Sequence, residues 1–213
     1  LVTTAFLLLS GTLLFYITEY NNTMKGMNVG ERILASFFSA STARTAGFNS
    51  VDTGSLTSAS KLLTCVLMFI GGSPGSTAGG IKTTTIFILV VSLWSGITDR
   101  HKTAIFKRRF EDDAIKKASI VFTLNMFLAV SALFTILAIT DLSLSDVMFE
   151  VFSAIGTVGM TTGITRDLSS AARIIIMVLM FCGRVGSLSF ALTFLQGKKD
   201  PPVYYPEEEI SVG

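Results

Sequence analysis

The sequence contains the segment Thr45-Ala46-Gly47 and a second copy of the same pattern, Thr157-Val158-Gly159. A glycine at a narrow point lets the backbone turn its carbonyl groups inward without a Cβ clash, and rings of backbone carbonyls can hold a dehydrated cation within a membrane. The pattern therefore predicts cation-binding loops in two copies. The predicted ion-binding residues are Thr45, Ala46, Gly47 and Phe48 in the first copy and Thr157, Val158, Gly159 and Met160 in the second.

Each Thr-x-Gly pattern follows a short amphipathic stretch, 31–43 or 144–155. A helix of that length cannot cross about 30 Å of hydrocarbon, so both stretches are predicted to be re-entrant helices. The C-terminal end of a helix carries about half a negative charge, which favours a nearby cation. An ordinary glycine-containing surface turn is the alternative interpretation, and a single copy of the pattern would not exclude it.

The two patterns belong to a longer internal repeat. A shift of 112 positions, which carries Thr45 onto Thr157, aligns the two halves without a gap. Chance similarity between apolar helices would not keep so many identities in one register. Each unit is therefore predicted to contain an outer helix, a re-entrant helix, a loop and an inner helix, arranged around an axis along the membrane normal. The aligned identities include Phe37 with Phe149, Ser41 with Ser153, Gly47 with Gly159, Gly71 with Gly183, and 66–69 with 178–181.

A glycine-rich segment interrupts the inner helix of the first unit. Glycine and proline do not sustain a helix, and irregular backbone at membrane depth is tolerated only where protein or a water-filled cavity satisfies its polar groups. The segment is therefore predicted to face a pore. Its residues are Gly72, Ser73, Pro74, Gly75, Ser76, Thr77, Ala78, Gly79 and Gly80, with Lys82 just beyond, in a loop predicted over 71–85.

Two other interpretations of this segment differ in how well the sequence supports them. A phosphate-binding loop requires Gly-Lys-Thr, which is absent because Ile81 separates Gly80 from Lys82. A packing kink stays open, since small residues favour close helix contacts.

The repeat aligns Arg184 of the second unit with Gly72 of the first. A charged residue at membrane depth is costly and should face the interior and find acceptors. We therefore expect Arg184 to face the pore, to donate hydrogen bonds to carbonyl groups of the glycine-rich segment and to repel cations while that segment is closed. A packing role without an effect on gating is the alternative.

Composition predicts an all-α polytopic membrane protein, because 50% of the 213 residues are hydrophobic, 15% are charged and the mean hydropathy is +0.62. The predicted spans are 1–17, 62–94 with its interruption, 118–139 and 173–195. They divide the chain into a pore unit at 1–95, a basic linker at 96–117, a pore unit at 118–196 and a tail at 197–213. The basic linker is predicted to be cytoplasmic, and the tail with it.

An enzymatic function is not predicted. A serine protease within the membrane would need a histidine at that depth, and the single histidine, His101, lies in the linker. An aspartyl mechanism would need two carboxylates at mid-membrane, but the acidic residues are confined to predicted loops and helix ends, and Glu150 alone lies inside a re-entrant helix. We expect Glu150 either to line the outer pore mouth or to tether its short helix. The apolar surroundings of Cys65 and Cys182 give neither a disulfide nor a metal role.

The segments 41–49 and 153–161 resemble the third and fourth selectivity-filter segments of the Trk/Ktr/HKT potassium transporters, most closely those of the KtrB-type membrane subunits of bacterial Ktr systems. The resemblance covers essentially the whole chain. It implies potassium uptake with K⁺ at the filter carbonyls, and a gate formed by residues 72–80, Lys82 and Arg184. Because Phe48 and Met160 stand where tetrameric potassium channels have tyrosine, looser discrimination against Na⁺ is expected.

The same resemblance implies partners. Family members have four such units in one polypeptide, so an upstream half with two more pore units is expected, and the start at Leu1 within an apolar run agrees with a fragment. A homodimer of the KtrB type in the bacterial plasma membrane, a KtrA-type cytoplasmic ring that binds ATP or ADP, and Na⁺ dependence are implied as well. Nucleic acid is not an expected partner. A channel assembled from short chains with two pore loops each is the alternative.

Overall fold

The structure is a computed structural model that describes residues 2–76, 78–98, 104–105, 108–109 and 112–186. Four sequence predictions fall wholly or partly outside these residues: Thr77 of the glycine-rich segment, much of the basic linker, the last predicted helix beyond 186, and the tail from 197.

The described residues are largely helical, with two short strands, one 3₁₀ turn at Ile164–Arg166 and connecting loops. The helices are α1 Val2–Glu19, α2 Val29–Thr42, α3 Ser58–Phe69, α4 Thr83–Ile97, α5 Asp112–Ile139, α6 Leu144–Ile155 and α7 Ser170–Val185. Within the linker, β1 (Ala104–Ile105) pairs antiparallel with β2 (Arg108–Arg109). The all-α architecture predicted from composition is therefore confirmed for the described residues.

Two helices, α1 and α5, are long and apolar enough to cross a membrane by length and composition. The predicted span at 62–94 is divided into α3 and α4, because the chain leaves helical geometry between Phe69 and Thr83. Each of these two apolar helices is shorter than a bilayer crossing requires.

The repeat reappears in how the helices begin. The hydroxyl of Thr57 accepts a hydrogen bond from the Ser60 backbone N–H at the start of α3. The hydroxyl of Ser169, 112 positions later, accepts one from Ala172 N–H at the start of α7. Such caps satisfy backbone donors that lack a partner in the first helical turn, so both helices start at the same place in the repeat.

Glu19 fixes the end of α1 to the start of α3. Its side chain is fully buried. The carboxylate accepts hydrogen bonds from the Asn22 amide, from the backbone N–H and hydroxyl of Thr23, and from the backbone N–H and hydroxyl of Thr57. Several donors around one carboxylate offset the cost of burying its charge, so this contact anchors the first unit.

The two units pack against each other through α3 and α6. Met68 and Phe149 are both fully buried in a cluster that also contains Phe15 and Ala40 from α1 and α2. At one end of the same interface, Lys61 Nζ lies 2.8 Å from Asp146 Oδ1. The core is thus shared between the units, and this sharing places the two Thr-x-Gly loops side by side.

Candidate functional site

The two Thr-x-Gly loops have the same unusual backbone. In the first loop, Thr45 has φ 75° and Gly47 has φ 76°; in the second, Thr157 has φ 53° and Gly159 has φ 85°. The residue between them has negative φ in each loop. A β-branched residue rarely adopts positive φ, because its Cβ approaches the backbone. Alternating positive and negative φ values can align successive peptide groups, so each loop can present neighbouring carbonyls in one direction.

Each loop begins where a short helix ends. Ala46 N–H and Gly47 N–H both donate to the carbonyl of Thr42, the last residue of α2. In the second unit, Val158 N–H donates to Ser153 O near the end of α6. These bonds hold both loops at the negative ends of the α2 and α6 dipoles, where a cation is favoured.

The loops touch each other. A Cβ atom added at Gly47 would overlap the carbonyl oxygen of Val158, so only glycine allows this approach. Further along, the hydroxyl of Thr53 donates to the carbonyl of Thr161. The repeat therefore brings the predicted ion-binding residues of both units into one place.

Different side chains brace the two loops. In the first unit, the Thr42 hydroxyl donates to Phe48 O at 2.6 Å and accepts from Phe48 N–H at 2.8 Å. In the second, the Glu150 carboxylate accepts hydrogen bonds from the Thr161 and Thr165 hydroxyls. Glu150 is only 5% exposed. Of the two roles expected for it, the structure favours the tether.

The glycine-rich segment is folded back on itself between α3 and α4. Gly71 N–H donates to Ile81 O at 2.9 Å and Ile81 N–H donates to Phe69 O at 3.0 Å, which joins the two stems. Lys82 Nζ donates to the carbonyls of Ser76 and Ala78. These bonds satisfy polar backbone groups that a helix would otherwise satisfy, so the break is an ordered structure.

Both ends of this segment contact the Thr-x-Gly loops. Arg44 Nη2 donates to Gly71 O at 3.1 Å. The backbone N–H of Gly79 donates to Thr157 Oγ1 at 2.9 Å. Sequence reasoning assigned no role to Arg44 or to Thr42. A signal for Arg44 was present, because it is a charged residue directly before Thr45 in an apolar region.

Arg184 lies in the last turn of α7 and is exposed. It is near enough to Lys82 for repulsion between the two charges. Lys82 donates to carbonyls of the segment and Arg44 donates to the adjacent Gly71. The expectation that Arg184 binds those carbonyls stays a prediction.

Among the described residues, no group of three or more His, Cys, Asp or Glu side chains is placed to hold a metal ion. Cys65 and Cys182 are both buried and free.

A protein-family model described as "TrkH: Cation transport protein" matches residues 1–200. The chain belongs to this family. Its relatives are named as transport proteins, which agrees with the expectation that the chain is not an enzyme.

Three curated relatives of this TrkH-family chain are bacterial uptake proteins. It is 36% identical to the Ktr system potassium uptake protein B of Bacillus subtilis, over 97% of this chain and 48% of that protein. It is 36% identical to the protein of the same name from Vibrio alginolyticus, over 100% and 47%. It is 38% identical to the potassium/sodium uptake protein NtpJ of Enterococcus hirae, over 99% and 48%. The chain spans about half the length of these relatives.

The fold of this family member is also found in a solved structure. The potassium transporter TrkH from Vibrio parahaemolyticus matches it with a TM-score of 0.71 and 19% identity, covering 91% of this chain and 43% of that one. The likeness shows that the two chains share a fold.

Proposed function

We propose that this chain supplies two pore units of a potassium-uptake protein, with the two Thr-x-Gly loops as its selectivity filter. The observation that carries the proposal is the direct contact of these loops, each with alternating φ at the end of a short helix. Carbonyl oxygens placed in this way can replace the hydration shell of K⁺. The names of the relatives, which include potassium and sodium uptake, support K⁺ as the ion and Na⁺ as a second one.

Two more pore units would complete the ring. Gly47 lies against Val158, whereas no atom lies within 4 Å of a Cβ placed at Gly159 among the described residues. Likewise, Phe149 is fully buried against the first unit, while its repeat counterpart Phe37 is 45% exposed. The free space beside Gly159 and the exposed side chain of Phe37 would both be covered by neighbouring pore units of the same kind. The half-length coverage of the relatives supports the same proposal.

The glycine-rich segment is proposed as the gate. It lies directly against the Thr-x-Gly loops, through Gly71 and Gly79. Its pore-facing residues are proposed to be 72–80 with Lys82. Arg184, positively charged and close to Lys82, adds to a local field that repels cations while the segment is in place.

The proposed setting is the bacterial plasma membrane, with the basic linker and the tail on the cytoplasmic side. These surfaces would receive a KtrA-type ring of nucleotide-binding subunits, and a second membrane subunit would form a homodimer. The names of two relatives as subunits of a Ktr system support a multi-subunit assembly.

Uptake of Rb⁺ and Na⁺ by the full-length gene, expressed in a cell that lacks potassium uptake, tests this function. We expect Rb⁺ uptake to exceed Na⁺ uptake, and Gly47→Ala to remove that preference. Equal uptake of both ions by the unmodified protein would overturn the potassium assignment.

A further inference from the structure

Two hydrogen bonds join the stretch 71–80 to the Thr-x-Gly regions, one at each end: one to Arg44, beside the first loop, and one to Thr157 of the second loop. Gly71, at its start, accepts from Arg44, the residue just before the first loop. Gly79, near its end, donates to Thr157, the first residue of the second loop. Displacement of the segment together with Gly71 therefore breaks one contact beside the first loop and one within the second.

We propose that Arg44 and Thr157 are positioning residues that couple the gate to the filter, so that displacement of the glycine-rich segment lowers the preference for K⁺ over Na⁺. The inference rests on the proposed roles of the loops and the segment. The added claim is that one displacement of the glycine-rich segment changes both the ion flux and the preference for K⁺ over Na⁺.

The contact at Thr157 is tight as well as polar. A Cβ atom added at Gly79 would lie 2.5 Å from Thr157 Oγ1 and 2.6 Å from its Cγ2. Thr157 also has positive φ, which is strained for a β-branched residue. Strained conformations persist where their surroundings hold them. The hydrogen bond and packing from Gly79 are part of those surroundings, so the second loop gains freedom when the segment moves away.

The two units contribute differently at the position before the threonine. The first unit has Arg44, whose guanidinium reaches across to Gly71. The second has Gly156, where an added Cβ atom would lie 2.6 Å from the carbonyl oxygen of Met68. A Cβ atom added at Gly79 would lie 3.0 Å from the carbonyl oxygen of Gly156. One unit thus extends a long side chain to Gly71, whereas in the other the missing side chain allows Met68 of α3 to approach closely.

Thr45 provides a matched comparison. It occupies the same repeat position as Thr157 and has a similar backbone, with φ 75°. No hydrogen bond joins its hydroxyl to the glycine-rich segment within the described residues, whereas Thr157 has the bond from Gly79. Of the two repeated threonines, Thr157 is therefore the one to which the coupling is assigned.

The test is a double-mutant cycle in the full-length protein, with the Rb⁺ to Na⁺ uptake ratio and the maximal Rb⁺ flux as readouts. Gly79→Ala places a methyl group against Thr157, so we expect higher flux and a ratio lowered by about fivefold, the effect of one lost hydrogen bond. Thr157→Ala removes the two nearest atoms that the methyl group would meet and leaves the Gly156 carbonyl oxygen at 3.0 Å. Adding Gly79→Ala to Thr157→Ala should therefore change both readouts much less than Gly79→Ala does in the unmodified protein.

Additive effects of the two substitutions, or a change in flux at constant ratio, would overturn the coupling. Gly96→Ala is the control, because a Cβ at Gly96 meets open space in α4 and should change neither readout. Thr45→Ala combined with Gly79→Ala should give additive effects, and non-additivity there would contradict the assignment to Thr157.

Arg44 gives a second route if Gly79→Ala fails to reach the membrane. Arg44→Gln should lower the ratio and raise the flux, and Arg44→Lys, which keeps a charged donor, should restore part of both. An unchanged ratio in Arg44→Gln would refute the coupling. If the unmodified protein discriminates Rb⁺ from Na⁺ and Gly47→Ala abolishes the discrimination, the proposed filter stands even where the coupling fails.

Discussion

The hydroxyl of Thr165 donates a hydrogen bond of 2.9 Å to the Glu150 carboxylate, which also accepts one from Thr161 at the end of the second Thr-x-Gly loop. A single buried carboxylate thus joins α6 to the chain that follows the loop. The first unit has Phe38 at the repeat position of Glu150 and uses the Thr42 hydroxyl to brace its loop instead. The two loops therefore have similar backbones held by different side chains.

Replacement of Glu150 should loosen the second loop. Glu150→Ala removes the buried carboxylate that accepts hydrogen bonds from the Thr161 and Thr165 hydroxyls, so it should lower thermal stability by about 1 kcal/mol and also lower the Rb⁺ to Na⁺ uptake ratio. Glu150→Gln keeps one carbonyl acceptor and should have a smaller effect. Phe38→Leu, at the matched position of the first unit, should leave the ratio nearly unchanged. A normal ratio in Glu150→Ala would contradict the bracing role.

The two glycines of the loops should respond alike in the full-length protein. Gly47→Ala brings a methyl group into the Val158 carbonyl and also strains a position with φ 76°. Gly159→Ala has the same backbone strain, which costs about 1 kcal/mol. Its added methyl group would meet no described atom within 4 Å. If a further unit packs there, both variants should lose ion selectivity and melting temperature to a similar extent. A much milder loss of melting temperature for Gly159→Ala would argue against a neighbouring unit at that loop.

The ion pair between Lys61 and Asp146 should make the contact of the units depend on pH. Burial acts to raise the pKa of Asp146, but the hydrogen bonds from Lys61 and Ser143 outweigh it and hold that pKa below its usual range. The stabilisation is therefore present above the ordinary pKa of an aspartate, about 3.9, and is lost as pH falls through the lower pKa of the folded state. We expect Lys61→Met to lower stability by about 1 kcal/mol at neutral pH and to have less effect near pH 3.

Melting curves of the purified protein across this pH range measure the difference. The exchange Lys61→Asp with Asp146→Lys should recover part of the neutral-pH stability, because it restores opposite charges at the interface of α3 and α6. A stability difference between Lys61→Met and the unmodified protein that stays constant down to pH 3 would contradict the role of this pair.

Glu19 should be the most sensitive of the buried polar residues in the first unit. Glu19→Ala leaves the donors of Asn22, Thr23 and Thr57 without their acceptor and should cost about 3 kcal/mol or more. Glu19→Gln keeps the shape but turns an amide donor toward those groups, so it should also destabilise. Thermal unfolding in detergent measures both. Leu13→Ala, an exposed position on the same helix, is the control and should change the melting temperature little.

Arg184 tests the gate separately from the filter. Arg184→Gln removes a positive charge close to Lys82 and should raise the maximal Rb⁺ flux several-fold, while the Rb⁺ to Na⁺ ratio changes less than in Gly79→Ala. Arg184→Lys keeps the charge and should resemble the unmodified protein. Flux that is unchanged or reduced in Arg184→Gln would count against a gating role.

Much of the fold followed from local pattern. The helix predicted at 144–155 has these bounds in the structure, since its amphipathic period, its N-terminal Ser143 and the Gly156 that ends it are all local signals. The long span at 62–94 was predicted as one interrupted helix, and it consists of two helices with a folded segment between them. The run of glycines predicted the break, but the hydrogen bonds that order it join residues on both sides of that run.

The sequence by itself determined the family, the twofold repeat and the position of both Thr-x-Gly loops, because identities in one register and glycines at fixed places can be read along the chain. Only the tertiary structure decided which residues meet. Arg44 contacts Gly71 and Gly79 contacts Thr157, pairs separated by 27 and 78 positions. No periodicity encodes such contacts, since they depend on how α3 and α6 pack and bring the two units together.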